Sequence, residues 1–229
     1  DGGFDEVLKR HSAKRKRKRF RAQEREFEQI GGYRYVSVVE PERIAPTLAH
    51  CFELKAKHFK AAGIHDVFAE PHVRAFFTEL FAKGARDEPH GNVLKAIEAD
   101  GKTIAISACT CHDSRVTVEF TTYDPDYRDL SPGDMLFFLS IREATEQGQA
   151  HFDFGVGDEP FKRNWCDIET WHRDTIIALT ARGRALASAR GARNALVRSL
   201  KQNKRLWKAF KQVRRRVPFN RPCDDAQTD

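Results

Sequence analysis

The sequence has no uninterrupted apolar run long enough to cross a bilayer, which excludes a membrane-spanning helix within these residues. No signal-peptide pattern opens it, and the first residue is Asp1 rather than Met. The expectation is therefore a cytoplasmic chain whose upstream portion lies outside this sequence. Cysteine is scarce: Cys51, Cys109, Cys111, Cys166 and Cys223 are odd in number and show no Cys-x-x-Cys spacing. That argues against a disulfide framework and a zinc site, and for free, mostly buried thiols. His58, His65, His72 and His90 are scattered without ligand spacing, so no metal is expected. Acidic residues are missing altogether between Asp174 and Asp224, which leaves that stretch without counter-charge.

The charge that is present is uneven. Residues 1–30 hold ten Lys/Arg against six Asp/Glu, residues 31–174 sixteen against twenty-four, and residues 175–229 fourteen against three. An acidic centre with basic ends fits basic helices docked on an acidic body. It also fits a basic surface reaching an anionic partner, such as a membrane surface at its periphery or a nucleic acid. At 229 residues the chain is long enough to bury a sizeable core.

Residues 4–30 contain neither Gly nor Pro, and predict one long helix ended by Gly31-Gly32. Phe20 and Phe27 share a face, and the cationic run 14–21 reads as a solvated outer surface or as a phosphate or headgroup contact. Residues 33–39 alternate as a strand. Pro41 opens a helix to about Ala62, with Phe52 and Phe59 inward and Lys55, Lys57 and Lys60 outward; Pro71 opens another, with Val73, Phe76, Phe77, Leu80 and Phe81 at core spacing. Residues 93–99 and 103–111 form a hairpin about Asp100-Gly101, because Asp-Gly supplies the positive φ angles a two-residue turn needs. Residues 115–123 make the third strand of the meander. A helix from Ser131-Pro132-Gly133-Asp134 to Gln147 then crosses to a strand at 150–155. A further strand is expected at 175–179. A helix at 182–217, interrupted near Gly191, carries Leu196, Leu200, Trp207, Phe210 and Val217 on one side and a basic stripe on the other. The fold class is α/β: a mixed, mostly antiparallel sheet flanked by helices, with long basic N- and C-terminal helices. The expected divisions are 1–32 for the basic N-terminal helix, 33–180 for the central domain, 181–217 for the C-terminal helices and 218–229 for a loose tail.

The central stretch carries a resemblance. Ser131-Pro132-Gly133-Asp134-Met135-Leu136, followed by Phe152-Asp153-Phe154-Gly155-Val156-Gly157-Asp158-Glu159-Pro160-Phe161-Lys162, resembles the GNAT-type acyltransferases of the cellulose-biosynthesis class. Those proteins share their fold with the Fem-type aminoacyltransferases. The similarity covers roughly residues 10 to 180. It implies a GNAT-like sheet, acetyl-CoA or another acyl-CoA as co-substrate, and an amine or hydroxyl acceptor, with a saccharide among the candidates. The Fem relation leaves an aminoacyl-tRNA donor open, and a degenerate scaffold docking on membrane or partner is a third reading.

The resemblance also implies donor-binding residues: Arg128, Ser131, Gly133, Asp134, Met135 and Lys162. The GNAT phosphate loop usually reads Arg/Gln-x-x-Gly-x-Gly/Ala. Residues 128–134 offer one glycine, and Pro132 beside it has no N–H to give. Asp134 in the first turn suits the helix dipole but repels phosphate. Acyl transfer further needs a base, a stabilised oxyanion and a proton for the departing thiolate. Strict alternation puts Val116, Val118 and Phe120 on one face, and Thr117, Glu119, Thr121 and Tyr123 on the other. Glu119 is then a candidate general base, or a plain surface charge. Asp153 is a second base, or an anchor for the glycine-rich loop after it. Tyr123 and Tyr127 are candidate proton donors, and Lys162 holds a phosphate or pairs within its own loop.

Overall fold

The computed structural model describes residues 3–84, 91–157, 159–173 and 175–202. The chain divides into two units, Asp1–Ile168 and Glu169–Asp229. The first unit holds a five-stranded sheet in the order β1-β2-β3-β4-β5. Asp100 and Gly101, at φ 52° and 67°, turn β2 (Gly91–Ala99) into β3 (Lys102–His112), with Ala99 opposite Lys102. Asp113 and Ser114, also at positive φ, turn β3 into β4 (Arg115–Tyr123), with His112 opposite Arg115. β1 (Arg34–Val38) runs antiparallel to β2. β5 (His151–Asp153) is parallel to β4, reached through the crossover helix α5 (Pro132–Glu146).

Each face of the sheet has its own helices and core. α3 (Pro41–Ala62), opened by a proline and closed by left-handed Gly63, and α4 (Pro71–Gly84) cover one face. There Leu48, Phe52 and Phe81 pack with Leu94, Ala96, Ile106, Ala108 and Phe120. The other face carries α1 (Gly3–Lys9), α2 (Ala13–Glu28) and α5, with Phe20, Phe27, Leu136 and Phe138 packed with Ile97, Cys109, Val116 and Val118.

Several expectations need correction. The N-terminal helix is two helices, because Ser12 adopts a left-handed conformation at φ 52°. In one straight helix Leu8 would sit about 120° round from Phe20. The break lets Leu8 and Phe20 join the same core, with Phe4 meeting Phe138 edge-on at 5.0 Å and Phe20 stacking on it at 4.1 Å. Phe76 is exposed, and Lys55 turns inward instead of outward. In the second unit residues 175–179 form no strand among the described residues, and Ile177 and Leu179 lie exposed. α6 (Ala181–Gln202) runs through Gly191 unbroken. The continuation of the basic stripe to Val217 lies outside the described residues.

The correction that matters most for function is in β4. Cys109 pairs with Val118 and Ala108 with Phe120, so Glu119 has no counterpart on β3 and forms a bulge. The extra residue resets the alternation. Val116 and Val118 face the α5 core, whereas Phe120 faces the α3/α4 core.

Candidate active site

β4 and β5 pair over only three positions: Arg115 with His151, Val116 with Phe152, and Thr117 with Asp153. They part at the bulge. The chain after Asp153 is steered away by its own side chain. One carboxylate oxygen accepts from the Gly155 amide at 2.8 Å, and the other takes Arg115 at 3.0 Å. Gly155 sits at φ 69°, and a Cβ there would lie 3.0 Å from the Val118 carbonyl oxygen. The loop that follows is closed by Lys162, which donates to the Gly155 carbonyl at 3.0 Å and pairs with Glu159 at 2.9 Å. Phe137, Phe154 and Phe161 stack behind it with ring centroids 5.0–5.8 Å apart. Among the described residues β4 therefore runs on from Val118 to Tyr123 with no strand beside it on that edge.

Asp124 donates its amide to Ile104 of β3 at 2.7 Å, so by alternation Thr121 and Tyr123 turn their backbone groups to the open edge. α3 reaches that edge. Lys55 donates to the Thr121 carbonyl at 3.2 Å, and His58 donates through Nε2 to the Tyr123 carbonyl at 2.8 Å. Lys55 lies among the rings of Phe59, Phe68 and Phe120, and burial there lowers its pKa. The Tyr123 ring packs edge-on against His58 and also lies beside Gly133, 3.6 Å from where a Cβ would stand. The end of β4 and the start of α5 thus meet at Tyr123 and Gly133.

The start of α5 is poor in free amides. Pro132 has none, and those of Asp134 and Met135 donate to the Ser131 carbonyl at 3.0 and 3.3 Å. Gly133 keeps the one amide of this turn that is not turned back on Ser131. Ser131 is left-handed at φ 50°, and its side chain caps nothing. The Met135 side chain is fully buried, while Arg128 is exposed.

α2 lies across this turn rather than facing solvent alone. Gln23 donates to the carbonyls of Leu130 and Ser131 at 3.2 and 3.0 Å. Arg19 pairs with Asp134 at 2.8 Å, which neutralises the charge that would repel a phosphate. Lys16 sits 3.2 Å from the centre of the Trp165 ring; burial brings its pKa down to about 8. Between α2, α5 and residues 164–165 a cavity of about 240 Å³ opens, lined by Arg15, Lys16, Arg19, Asp134, Asn164 and Trp165 among others.

The structure therefore places Glu119 where the β4–β5 gap begins, and Tyr123, Gly133 and Asp134 at its other end and in the turn after it. It engages Asp153 and Lys162 within the loop that borders the gap. Tyr127 turns elsewhere, donating to Asp100 at 3.2 Å. Sequence reasoning gave no site role to Lys55, His58, Gln23 or Trp165, and read Lys16 and Arg19 only as members of the cationic run 14–21. The signal for the three α2 residues was the register of the Phe20/Phe27 stripe, since Gln23 lies between those two on the same buried face.

Among solved structures, the fold is similar to the C-terminal domain (DUF2156) of a protein assigned as a lysylphosphatidylglycerol synthetase from Agrobacterium fabrum, at 16% identity and TM-score 0.45. That match covers 65% of this chain and 43% of the other. A second similar structure is AAC(6')-Iy in complex with the bisubstrate analogue CoA-S-monomethyl-acetylneamine, at 12% identity and TM-score 0.42, covering 62% of this chain and 99% of that one. No curated protein matches by sequence. The family model described as an acetyltransferase (GNAT) domain matches residues 14–163, a span that runs from α2 through the loop closed by Lys162. The chain belongs to the GNAT acetyltransferase-domain family.

Proposed function

We propose that the chain is an acyl-CoA-dependent N- or O-acyltransferase acting on a saccharide or another cell-envelope precursor. The observation that carries this reading is the parting of two parallel strands after three paired residues, with a helix N-terminus at the end of the gap. An extended thioester arm fits such a gap, because an unpaired strand edge offers amide donors to the arm's carbonyl oxygens. With their carbonyls held by α3, Thr121 and Tyr123 present their amides to it.

In this reading Glu119, exposed at the bulge, takes the proton of the attacking amine or hydroxyl, directly or through one water. The nucleophile's N–C or O–C bond forms, the C–S bond breaks, and the proton taken by Glu119 passes through solvent to the thiolate, while Tyr123, beside Gly133, stands at the diphosphate end of the arm. Asp153 and Lys162 hold the loop that borders the gap, and Gly133 meets the donor's diphosphate.

The test is thermal denaturation with millimolar CoA or acetyl-CoA. A ligand bound only by the folded state raises Tm, by about 2.7 kcal/mol of added stability at a hundred times its Kd. An unchanged Tm at millimolar ligand sinks the reading.

A further inference from the structure

We propose that the cavity between α2 and the start of α5 is a phosphate-ester site, with Arg15, Lys16 and Arg19 standing in for the amide cradle that Pro132 interrupts. The site is defined by its walls alone. The ligand's identity as the donor's nucleotide portion rests on the acyl-CoA reading above.

Three cations and one carboxylate line the cavity. Arg19 is paired with Asp134, so the surplus is carried by Arg15 and Lys16. Among the described residues neither of these ion-pairs with a carboxylate. Lys16 is the telling one. Its ammonium is drawn in against the Trp165 ring, at a desolvation cost that its fall in pKa registers. A cation drawn partly out of water at a cavity wall, next to a second cation, is placed to meet an anion entering that cavity. At about 240 Å³ the space takes several waters, each of which occupies about 30 Å³ in the liquid. Gln23 covers the Leu130 and Ser131 carbonyl oxygens, which would otherwise face an incoming phosphate with like charge. Asn164 adds a neutral donor on the far wall. The amide cradle of the turn is thus reduced to Gly133, and side chains from a separate helix supply the lost positive charge.

The experiment measures binding of CoA, of ADP (the diphosphate without the thiol arm) and of pantetheine (the arm without phosphate) to the full chain by titration calorimetry. It compares wild type with Lys16→Met, Arg15→Ala and, as a control outside the cavity, Lys18→Ala. Lys16→Met keeps the apolar stem on Trp165. Arg15 is exposed, so Arg15→Ala carries the test if Lys16→Met fails to fold. Each cavity variant is expected to weaken CoA and ADP about tenfold and to make the salt dependence shallower by about one ion. Pantetheine binding and the Lys18→Ala control stay unchanged. In a Trp171→Phe, Trp207→Phe background, ADP also shifts the Trp165 emission as Lys16 leaves its ring.

CoA and ADP affinities indifferent to both cavity variants overturn the site and leave the acyltransferase reading standing. ADP held in a Lys16-dependent way by a chain that ignores CoA supports the site and sinks that reading. Absence of ADP and CoA binding overturns both.

Discussion

Gly155→Ala tests the geometry that opens the gap, and Gly101→Ala calibrates it. The two glycines have nearly the same backbone, at φ 69° and 67°. Alanine at either position pays for the left-handed conformation, about 1 kcal/mol. They differ in surroundings. A Cβ on Gly101 meets nothing within 4 Å, whereas one on Gly155 meets the Val118 carbonyl oxygen at 3.0 Å. That oxygen belongs to a strand paired with β3 and cannot swing aside like a flexible side chain. The added contact displaces the loop or β4 itself, and the total loss at Gly155 is expected at about 2–3 kcal/mol. Melting followed by circular dichroism should lower Tm by about 2–4 °C for Gly101→Ala and by about twice that or more for Gly155→Ala, given roughly 2–4 °C per kcal/mol for a chain of this size. CoA affinity should fall for Gly155→Ala alone. Equal losses at the two sites would refute the close approach of the loop to Val118, and with it the account of why the strands part there.

Glu119→Gln is expected to lower kcat by about 10²–10⁴-fold with the KM for acyl-CoA unchanged, and steady-state kinetics reads both. Lys95 sits half-sunk between β2 and α5, donating to Ser37 at 2.7 Å and pairing with Glu143 at 2.8 Å, while the Tyr35 hydroxyl donates to the same carboxylate. Lys95→Met strands that charge and should cost about 2–4 kcal/mol in urea denaturation, much of it recovered by adding Glu143→Gln. Lys16 has its folded pKa lowered to about 8 from 10.5, under burial and the opposed fields of Asp134, Arg15 and Arg19. The unfolded chain therefore binds the extra proton between those values, so Lys16 makes stability rise with pH from about 8 to 10.5. Urea midpoints across that window should climb more steeply in wild type than in Lys16→Met.

Local chemistry alone determined much of this molecule. Asp100-Gly101 dictates a positive-φ pair whatever surrounds it, and so the β2–β3 hairpin was readable in advance. Pro41 and Gly63 bracket α3 for equally local reasons, one fixing φ and the other permitting a left-handed end. The order of meander, crossover helix and final strand, and hence the α/β class, follows from such signals with the motif residues of 131–136 and 152–162. What required the tertiary structure were features set by partners distant in sequence. Glu119 bulges because of the way β3 pairs with β4, and no alternation rule applied to 115–123 alone can show Phe120 changing face. The break at Ser12 exists so that Leu8 and Phe20 can reach one core. Lys16 and Arg19 look like any solvated cations until α2 is laid across the start of α5, more than a hundred residues away in the chain. Burial and charge pairing depend on which surfaces meet, and for a basic helix that is decided by the fold rather than by its own residues.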